Sequence, residues 1–400
     1  MNISLFDLKK TLSPKQFAHE LSKKGALYWW PPGNFWVVTN YDIAHQLLTG
    51  EQVTCDRSPF FISRMPDIDL SLLSDFFDVV SKMMVMRDGD AHQASRRICY
   101  HGFANKHIKA ITPSIEQTVK MQVDKVAHQP SFDFVSEIAT IIPMKTLADF
   151  FNIPLSDREE FVAHAKTMTA FFGGASSYQN EDAINVNNAA TALKQYFKDL
   201  YLERKRQPKE DFFSQLCLYQ DEFGLTQDEL ISQAIMMWVA GMVTTTDQMC
   251  NNFYTLLEQY SDGLCLLQDQ DKLTPIIQEC NRLDPAVTFT FRLASADISI
   301  DDKTIQQGQT IFISNHAVNR DQMYFEAPDR IELTRKNNHF SYGMGGHFCL
   351  GAKLSLIEMQ LVFSHLFKSC PRLQINRYQR LHYSLSFSGF EHLEVSAEYF

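Results

Sequence analysis

The pattern of apolar and polar positions predicts a chain that is mostly helical, with β structure in two stretches. The longest helical pattern spans residues 226–260 without a proline, and residues 234–243 in its middle are almost all apolar. Such a helix must be buried on most of its sides. Aromatic and β-branched runs on either side of a Pro-Pro-Gly-Asn turn predict a hairpin over residues 26–39, and alternating apolar residues predict strands over residues 285–314, with Arg292 at the end of the first strand. Glycine and asparagine favour a loop over residues 171–188, and residues 385–390 are expected to form a hairpin.

The long helix contains residues that suit a helix interior poorly. Gly241 is followed closely by three consecutive threonines, of which Thr244 is the first. A buried helix that breaks its own local preferences usually does so at a functional site. Thr244 lies four residues after Ala240, so its hydroxyl could bond to that carbonyl, bend the helix and open room for a ligand. A helix with threonines that simply pack against their neighbours is the structural alternative, and the pattern alone leaves both open.

A second unusual stretch is residues 339–360, where Cys349 stands between a glycine-rich segment and a helical pattern. A cysteine at a helix N-terminus faces the positive end of the helix dipole, which lowers the thiol pKa and favours the thiolate. Glycines such as Gly343 and Gly351 allow the backbone to approach a bulky ligand. One thiolate on such a loop suits a soft metal bound from one side, and haem iron is the best-known case. A plain loop with a buried cysteine is the alternative.

Three other kinds of site are excluded by the residues around Cys349. A phosphate-binding P-loop would end in Gly-Lys-Ser/Thr, which is missing here. A dinucleotide-binding loop would need glycine where Phe348 stands, and no apolar strand leads into the segment. A structural zinc site would need cysteine pairs two to four residues apart, and the eight cysteines never come that close.

The segment Tyr342-Gly-Met-Gly-Gly-His347-Phe-Cys349-Leu-Gly351 resembles the haem-binding loop of the cytochrome P-450 family. One departure is Tyr342, which stands where the family usually has phenylalanine and adds a hydroxyl that needs a partner. The resemblance covers the whole chain. It implies the cytochrome P-450 fold, mainly α with a smaller β-rich part, as a single domain over residues 1–400.

The resemblance also implies a set of site residues. Cys349 would be the proximal ligand of haem b, in a loop shaped by Tyr342, Gly343 and Gly351. Four basic residues would hold the haem propionates, namely His92, Arg96, Arg292 and His347. Ala240, Gly241 and Thr244 match the family's oxygen-activating stretch, but Val243 stands where the family usually has an acid. Val243, Val287, Thr288 and Phe387 would line the substrate pocket. Glu279 and Arg282 match the family's structural Glu-x-x-Arg, with Arg330 as the expected third member.

Composition narrows the function classes. Hydrophobic residues make up 45% of the chain and charged residues 21%, an ordinary balance for a globular protein with a large core. The 31 phenylalanines suggest an extensive aromatic interior. A net charge of −10 argues against nonspecific binding to nucleic acid. No run of about 18 apolar residues is present, so we expect no membrane span. The cysteine spacing and the polar start of the chain favour a cytoplasmic setting.

The function that the resemblance implies is a soluble bacterial monooxygenase. It would use haem b and O2 to hydroxylate or epoxidise an apolar or aromatic small molecule in bacterial secondary metabolism, with electrons from a separate ferredoxin and its reductase. Arg97 and Lys353 are candidate basic contacts for an acidic ferredoxin. A carrier protein that presents the substrate stays open. The alternatives are radical coupling of phenols at the same haem site, and a non-catalytic haem sensor or carrier.

Overall fold

The structure is a computed structural model that describes residues 4–154, 156, 158–173, 178–260, 267, 269–336, 338–381 and 384–397. Helices dominate the described residues and strands form a smaller part, which confirms the predicted fold class. Among the described helices, none has the length and apolar character needed to cross a bilayer. The chain forms two compact units: unit 1 comprises residues 1–53, 115–143 and 244–400, and unit 2 comprises residues 54–114 and 144–243.

The helices of unit 2 form an aromatic core. They are α4 (Ser58–Ser63), α5 (Ser74–Val80), α6 (Gly89–Gly102), α9 (Arg158–Phe172), α10 (Asn180–Arg206) and α11 (Phe212–Tyr219). Trp238 is fully buried there, with its ring 5.0 Å from Phe161 and 6.2 Å from Phe151 between centroids. Edge-on contacts of this kind stabilise beyond the burial of area alone. The expected aromatic interior is therefore confirmed.

Three helices pass from one unit to the other along the chain. They are α7 (Asn105–Val126), α8 (Ile141–Phe151) and α12 (Gln227–Tyr260). The last is the long helix that the apolar pattern predicted, and it begins within one residue of the expected position. A capping box starts it, because Thr226 Oγ1 accepts the backbone N–H of Glu229 at 3.3 Å and Glu229 Oε2 accepts that of Thr226 at 2.8 Å.

Unit 1 contains the β structure and the remaining helices. The helices are α1 (Leu5–Thr11), α2 (Pro14–Ser22), α3 (Tyr41–Thr49), α13 (Gln270–Leu283), α14 (Asn315–Val318) and α15 (Ala352–Ser369), with a π-helical turn at Val135–Ala139. The strands are β1 (Leu27–Trp30), β2 (Phe35–Val38), β3 (Val53–Thr54), β4 (Ser131–Asp133), β5 (Phe289–Ala294), β6 (Ile298–Ile300), β7 (Lys303–Ile305), β8 (Thr310–Ser314), β9 (Leu373–Arg380) and β10 (Phe390–Ala397).

The strands form three sheets, with orders β1-β2-β8-β5-β3, β4-β10-β9 and β6-β7. The predicted N-terminal hairpin is confirmed, since β1 and β2 are antiparallel with Leu27 opposite Val38 and Trp30 opposite Phe35. Strands β5 and β8 are antiparallel with Arg292 opposite Ile311, so Arg292 lies inside its strand and not at the end. This sheet places Arg292 in a fixed position in unit 1.

Two predictions about irregular segments were wrong. The glycine- and asparagine-rich stretch 171–188 was expected to be a loop, but α9 extends to Phe172 and α10 starts at Asn180. Acidic residues in the first turn favour that start, since they complement the helix dipole. Residues 174–177 lie outside the described part. Residues 385–390 were expected to be a hairpin by themselves, but residues 385–389 lie between β9 and β10, which form the hairpin, and Phe390 is the first residue of β10.

Candidate functional site

The long helix α12 opens to solvent at one place in its buried middle. Residues 234–239 are all buried, whereas Ala240 is exposed and Gly241 and Thr244 are half-buried. Ala240 and Thr244 are four residues apart and share one face of the helix. That face therefore borders open space, at the residues where the sequence broke the local preferences of a helix. Val243, which points elsewhere on the helix, is only 5% exposed.

Gly241 is required by close packing. A Cβ built at this position would lie 3.3 Å from both terminal methyl carbons of Leu147 on α8, within unit 2. This separation is tighter than ordinary contact, so a larger residue would need Leu147 to move. The small residue thus lets two helices approach each other beside the open face.

Cys349 differs from the other cysteines in its exposure. Of the seven cysteines that the structure describes, six are buried and Cys349 is exposed. Burial raises the pKa of the Cys99 thiol to about 12 and that of Cys217 to about 12, so these thiols stay protonated. Thiolate is the form of cysteine that binds a soft metal, and Cys349 is the one described cysteine that lies at a surface. Phe348 beside it is also exposed, at 43%.

The loop before Cys349 depends on glycine geometry. Gly343 has φ of 73° and Gly345 has φ of 68°, a region that costs little only for glycine. The backbone N–H of Cys349 donates to the carbonyl of Tyr342 at 2.8 Å and closes the loop. Cys349 lies just before Gly351, the N-cap of α15, so the expected position at the start of a helix is confirmed to within two residues.

Gly345 also marks a close approach of two backbones. A Cβ at this position would lie 2.6 Å from the carbonyl oxygen of Leu48, at the end of α3. Real Cβ atoms do not approach a backbone atom so closely, so only glycine fits here. The loop is therefore pressed against α3 within unit 1.

The start of the loop is fixed by side chains from α13 and from the turn after α14. Asn319, fully buried, accepts the backbone N–H of Phe340 at 2.7 Å and donates to Ser341 Oγ at 3.0 Å. His339 donates from Nε2 to Gln278 Oε1 at 2.8 Å and accepts from the Ser341 N–H at Nδ1. Burial lowers the pKa of His339 to about 4, so the ring is neutral, as this pattern requires.

The extra hydroxyl of Tyr342 has partners. Its oxygen accepts a hydrogen bond from Asn281 Nδ2 at 3.1 Å, and Ser355 contributes a second bond. Burial, followed by the negative charge of Cys349, raises the pKa of Tyr342, so the phenol stays protonated. The expectation that this tyrosine needs a partner is thus met by α13 and α15.

A chain of buried amides leads from Tyr342 to the long helix. Gln248 Nε2 donates to Asn252 Oδ1 at 2.9 Å, and Asn252 Nδ2 donates to Asn281 Oδ1 at 2.7 Å. Asn281 then donates to Tyr342, so all donors point the same way along the chain. Networks of satisfied buried polar groups fix one conformation of a core. Sequence analysis did not identify Gln248, Asn252 or Asn281, because isolated amides on helices carry no recognisable pattern.

The structural Glu-x-x-Arg pair is formed, but its third member differs from the expectation. Glu279 and Arg282 are both fully buried and make two bonds of 2.8 and 2.9 Å. The third charge comes from Arg335, whose Nε lies 3.0 Å from Glu279 Oε2, and not from Arg330, whose backbone carbonyl accepts from Arg282. The spacing in sequence could not distinguish two arginines five residues apart on an irregular segment.

The predicted propionate ligands lie in different units. His92 and Arg96 are one turn apart on α6 in unit 2, with His92 buried and Arg96 half-buried. Arg292 on β5 is 7% exposed in unit 1 and donates from Nη1 to the carbonyl of Phe291 at 2.9 Å. His347 is half-buried in the cysteine loop. The α6 spacing agrees with the expected shared face, and the role of all four residues stays a prediction.

Three of the predicted pocket residues meet in unit 1. Val287 and Phe387 form an isolated antiparallel bridge, and both are half-buried. Thr288 is fully buried and donates from its hydroxyl to the carbonyl of Leu385 at 2.5 Å, so it holds the segment of Phe387 in place. The bridge brings Val287 and Phe387 together across about 100 residues of chain, and their contact with substrate stays a prediction.

These features fit haem held through a cysteine. The loop contains an exposed thiol, Cys349, next to the exposed ring of Phe348. The glycines before them add no side chain and have positive φ angles. The long helix separately offers a small-residue face open to solvent. A flat, largely apolar cofactor with one metal ligand needs both kinds of surface.

Comparisons with known proteins agree with this geometry. Residues 267–377 match the family model described as Cytochrome P450. The chain is 30% identical over 313 residues to Putative cytochrome P450 133B1 of Xylella fastidiosa, covering 77% of each protein. It is 28% identical over 365 residues to the Biotin biosynthesis cytochrome P450 of Bacillus subtilis, covering 91% of this chain and 90% of that protein.

A solved structure is similar over nearly the whole chain. It is the crystal structure of P450BioI in complex with hexadec-9Z-enoic acid ligated acyl carrier protein, with a TM-score of 0.87 and 26% sequence identity. The match covers 96% of this chain and 98% of that one. Relatives in this set are cytochrome P450 enzymes, which are monooxygenases with a haem-thiolate iron. On the identity and coverage given above, this chain belongs to the cytochrome P450 family and is an oxidoreductase of that kind.

Proposed function

We propose that this protein binds haem b through Cys349 and inserts oxygen from O2 into an apolar chain or ring, with electrons from a separate ferredoxin. The observation that carries the proposal is the open face of α12, where Ala240 is exposed and Thr244 half-buried within an otherwise buried helix. An alcohol on such a face can donate and accept a proton next to a bound ligand.

The residues predicted to hold the cofactor lie on several different elements. Cys349 would bind the iron through Sγ, and the basic side chains of His92, Arg96, Arg292 and His347 would bind the propionate carboxylates. When bound, haem with a thiolate ligand supplies the oxygen-activating chemistry, because the thiolate donates electron density that favours O–O cleavage. The protein supplies binding, orientation and protons.

Proton delivery must work without an acid next to Thr244. Val243 is an apolar side chain, 5% exposed, and cannot hold a water molecule by hydrogen bonds. The Thr244 hydroxyl is therefore the proton-handling group that the sequence offers on this face. It would receive its proton from ordered water or from a polar group of the substrate.

The substrate side is apolar and includes the bridge between Val287 and Phe387. We propose an aliphatic acyl chain as the substrate, presented by an acyl carrier protein. Support comes from the biotin-biosynthesis relative and from the similar structure, which was solved with an acyl carrier protein carrying a fatty acid. Exposed Arg97 and Lys353 are candidate basic contacts for the electron donor.

The test compares Thr244→Ala with Thr245→Ala, which removes the neighbouring, buried hydroxyl. Purified protein, NADPH, and a surrogate ferredoxin and reductase are supplied with palmitoyl acyl carrier protein or with free palmitic acid. Thr244→Ala should form at least about 100-fold less product per NADPH and release the oxygen as hydrogen peroxide, as expected for the loss of one proton donor. Thr245→Ala should stay close to wild type.

Product analysis with 18O2 separates the alternatives. Incorporation of one labelled oxygen atom supports the proposal, and preference for the carrier-bound chain supports the proposed presentation. Dimers of added phenols without labelled oxygen would support radical coupling. Absence of NADPH oxidation with every substrate, despite a thiolate-type carbon monoxide spectrum, would favour a haem sensor or carrier.

A further inference from the structure

Residues 384–389 form a short connecting segment that contains Phe387. The segment lies beside the start of β5, because the Thr288 N–H donates to the carbonyl of Ser386 at 2.8 Å and the Ser388 N–H donates to that of Ala286 at 2.8 Å. These bonds and the side-chain bond of Thr288 hold one edge of the segment.

The other anchor comes from the opposite end of the sequence. Lys9, on α1, donates from Nζ to the carbonyls of Ser384 at 2.8 Å and Leu385 at 2.9 Å, and also to that of Phe387. An ammonium group has three donors and no acceptor, so these three carbonyls use its full capacity. One side chain thereby sets the relative position of three of the segment's carbonyls.

The charged groups around Lys9 come from several elements of unit 1. Asp247 on α12 and Asp284 after α13 attract its charge, and Arg380 on β9 opposes it. Asp284 is bonded to Arg380 Nη2 at 2.9 Å and to His316 Nε2 at 3.2 Å. Burial lowers the pKa of His316, on α14, to about 4, so this ring contributes no charge near neutral pH.

Asp247 also fixes the end of the segment. A Cβ built on Gly389 would lie 2.2 Å from Asp247 Oδ1, so the carboxylate lies directly against the backbone there. Asn251, one turn further along α12, donates from Nδ2 to the carbonyl of Ser388 at 3.0 Å. The segment is thus enclosed by α1, α12 and the start of β5.

We propose that Lys9 is a positioning residue that sets the conformation of residues 384–389, so that ligand binding beside Phe387 depends on the first helix of the chain. The effect on ligand binding rests on the proposed function, which places Phe387 in the substrate pocket. The conformational part does not depend on it. Lys9 acts through the segment and is not assigned a contact with substrate.

The test compares Lys9→Met with Lys10→Met. Methionine keeps the apolar stem and removes the donors, and Lys10 is an exposed neighbour on the same helix whose ammonium lies over the Phe6 ring. Hydrogen–deuterium exchange of peptides covering residues 384–389 should be about tenfold faster in Lys9→Met, as expected for the loss of charge-assisted bonds. Lys10→Met should match wild type. Equal exchange in both variants overturns the proposal.

A second readout uses 4-phenylimidazole, whose imidazole nitrogen can bind haem iron and whose phenyl ring would lie on the proposed substrate side. Lys9→Met should bind it about fivefold more weakly, with an unchanged carbon monoxide spectrum. Faster exchange with unchanged affinity would overturn the ligand-binding part of the proposal. Loss of the thiolate-type spectrum in wild type would instead refute the proposed function, and the exchange result would still report on Lys9.

Discussion

The cysteine loop and the segment 384–389 are two irregular stretches of unit 1 that are held in different ways. The cysteine loop closes on itself through the bond from the Cys349 N–H to Tyr342 and turns at two glycines with positive φ. The segment 384–389 has its anchor on Lys9, about 375 residues away in the chain. The glycine turns of the cysteine loop lie next to Cys349 in the chain, so the sequence could identify them, although Asn319 and Gln278 also hold the start of the loop. The contact of Lys9 with segment 384–389 joins distant parts of the chain, so no local pattern could identify it.

The largest expected effect tests whether Cys349 in the cysteine loop is the ligand of the haem iron. Cys349→Ala should abolish the thiolate-type carbon monoxide spectrum, because no other described cysteine is exposed. The control is Cys370→Ala, a buried cysteine at the C-cap of α15, which should keep the spectrum. Hydrogen–deuterium exchange of residues 384–389 should not change in either variant. A preserved spectrum in Cys349→Ala would refute the assigned ligand.

The next effect tests the buried ion pair between Glu279 and Arg282 on α13. Glu279→Gln leaves Arg282 buried without its full partner and should lower the free energy of unfolding by about 3–5 kcal/mol, measured by urea denaturation. Glu222→Gln, an exposed carboxylate in unit 2, should change it by less than about 0.5 kcal/mol. A similar loss in both variants would contradict a special role for the buried pair.

The pH dependence of that loss has a definite sign. Burial raises the pKa of Glu279, but the hydrogen bonds and charge of Arg282 outweigh it and hold the pKa below its ordinary value of 4.5. The stabilisation is therefore present above pH 4.5 and is lost as the pH falls through the lower, folded-state pKa. The difference between wild type and Glu279→Gln should shrink on acidification below pH 4.5.

The same contrast explains what the sequence could predict. The long helix, the N-terminal hairpin and the loop around Cys349 depend on periodicity or on residues near each other in the chain, and the structure contains all three. The choice of Arg335 over Arg330, the amide chain through Asn281 and the contacts of Lys9 depend on packing between distant elements. No local pattern encodes these contacts, so sequence reasoning either missed them or chose the wrong partner.

A smaller effect separates backbone conformation from crowding in the cysteine loop. Gly345 and Gly224 both have φ of 68°, but a Cβ on Gly345 would lie 2.6 Å from a backbone oxygen, whereas a Cβ on Gly224 would have nothing within 4 Å. Gly224→Ala should cost about 1–2 kcal/mol through its dihedral alone. Gly345→Ala should cost at least about 1 kcal/mol more, with weakened haem retention. Equal losses would show that the approach to Leu48 relaxes freely.

The smallest effect concerns the hydroxyl that distinguishes this loop from the usual family pattern. Tyr342→Phe removes the acceptor of the Asn281 amide, in a buried site where Asn252 and Gln248 continue the chain. The free energy of unfolding should fall by about 1–2 kcal/mol, because a buried donor loses its partner. Tyr100→Phe, a change at a tyrosine that is 66% exposed, should have no measurable effect.

Because the Tyr342 hydroxyl belongs to a network that ends in α12, its loss should also speed amide exchange around Asn281 and leave residues 384–389 unaffected. Faster exchange in that segment would mean that the two regions are coupled, and that the distinction between a loop with its own glycine turns and a segment anchored by Lys9 is too sharp.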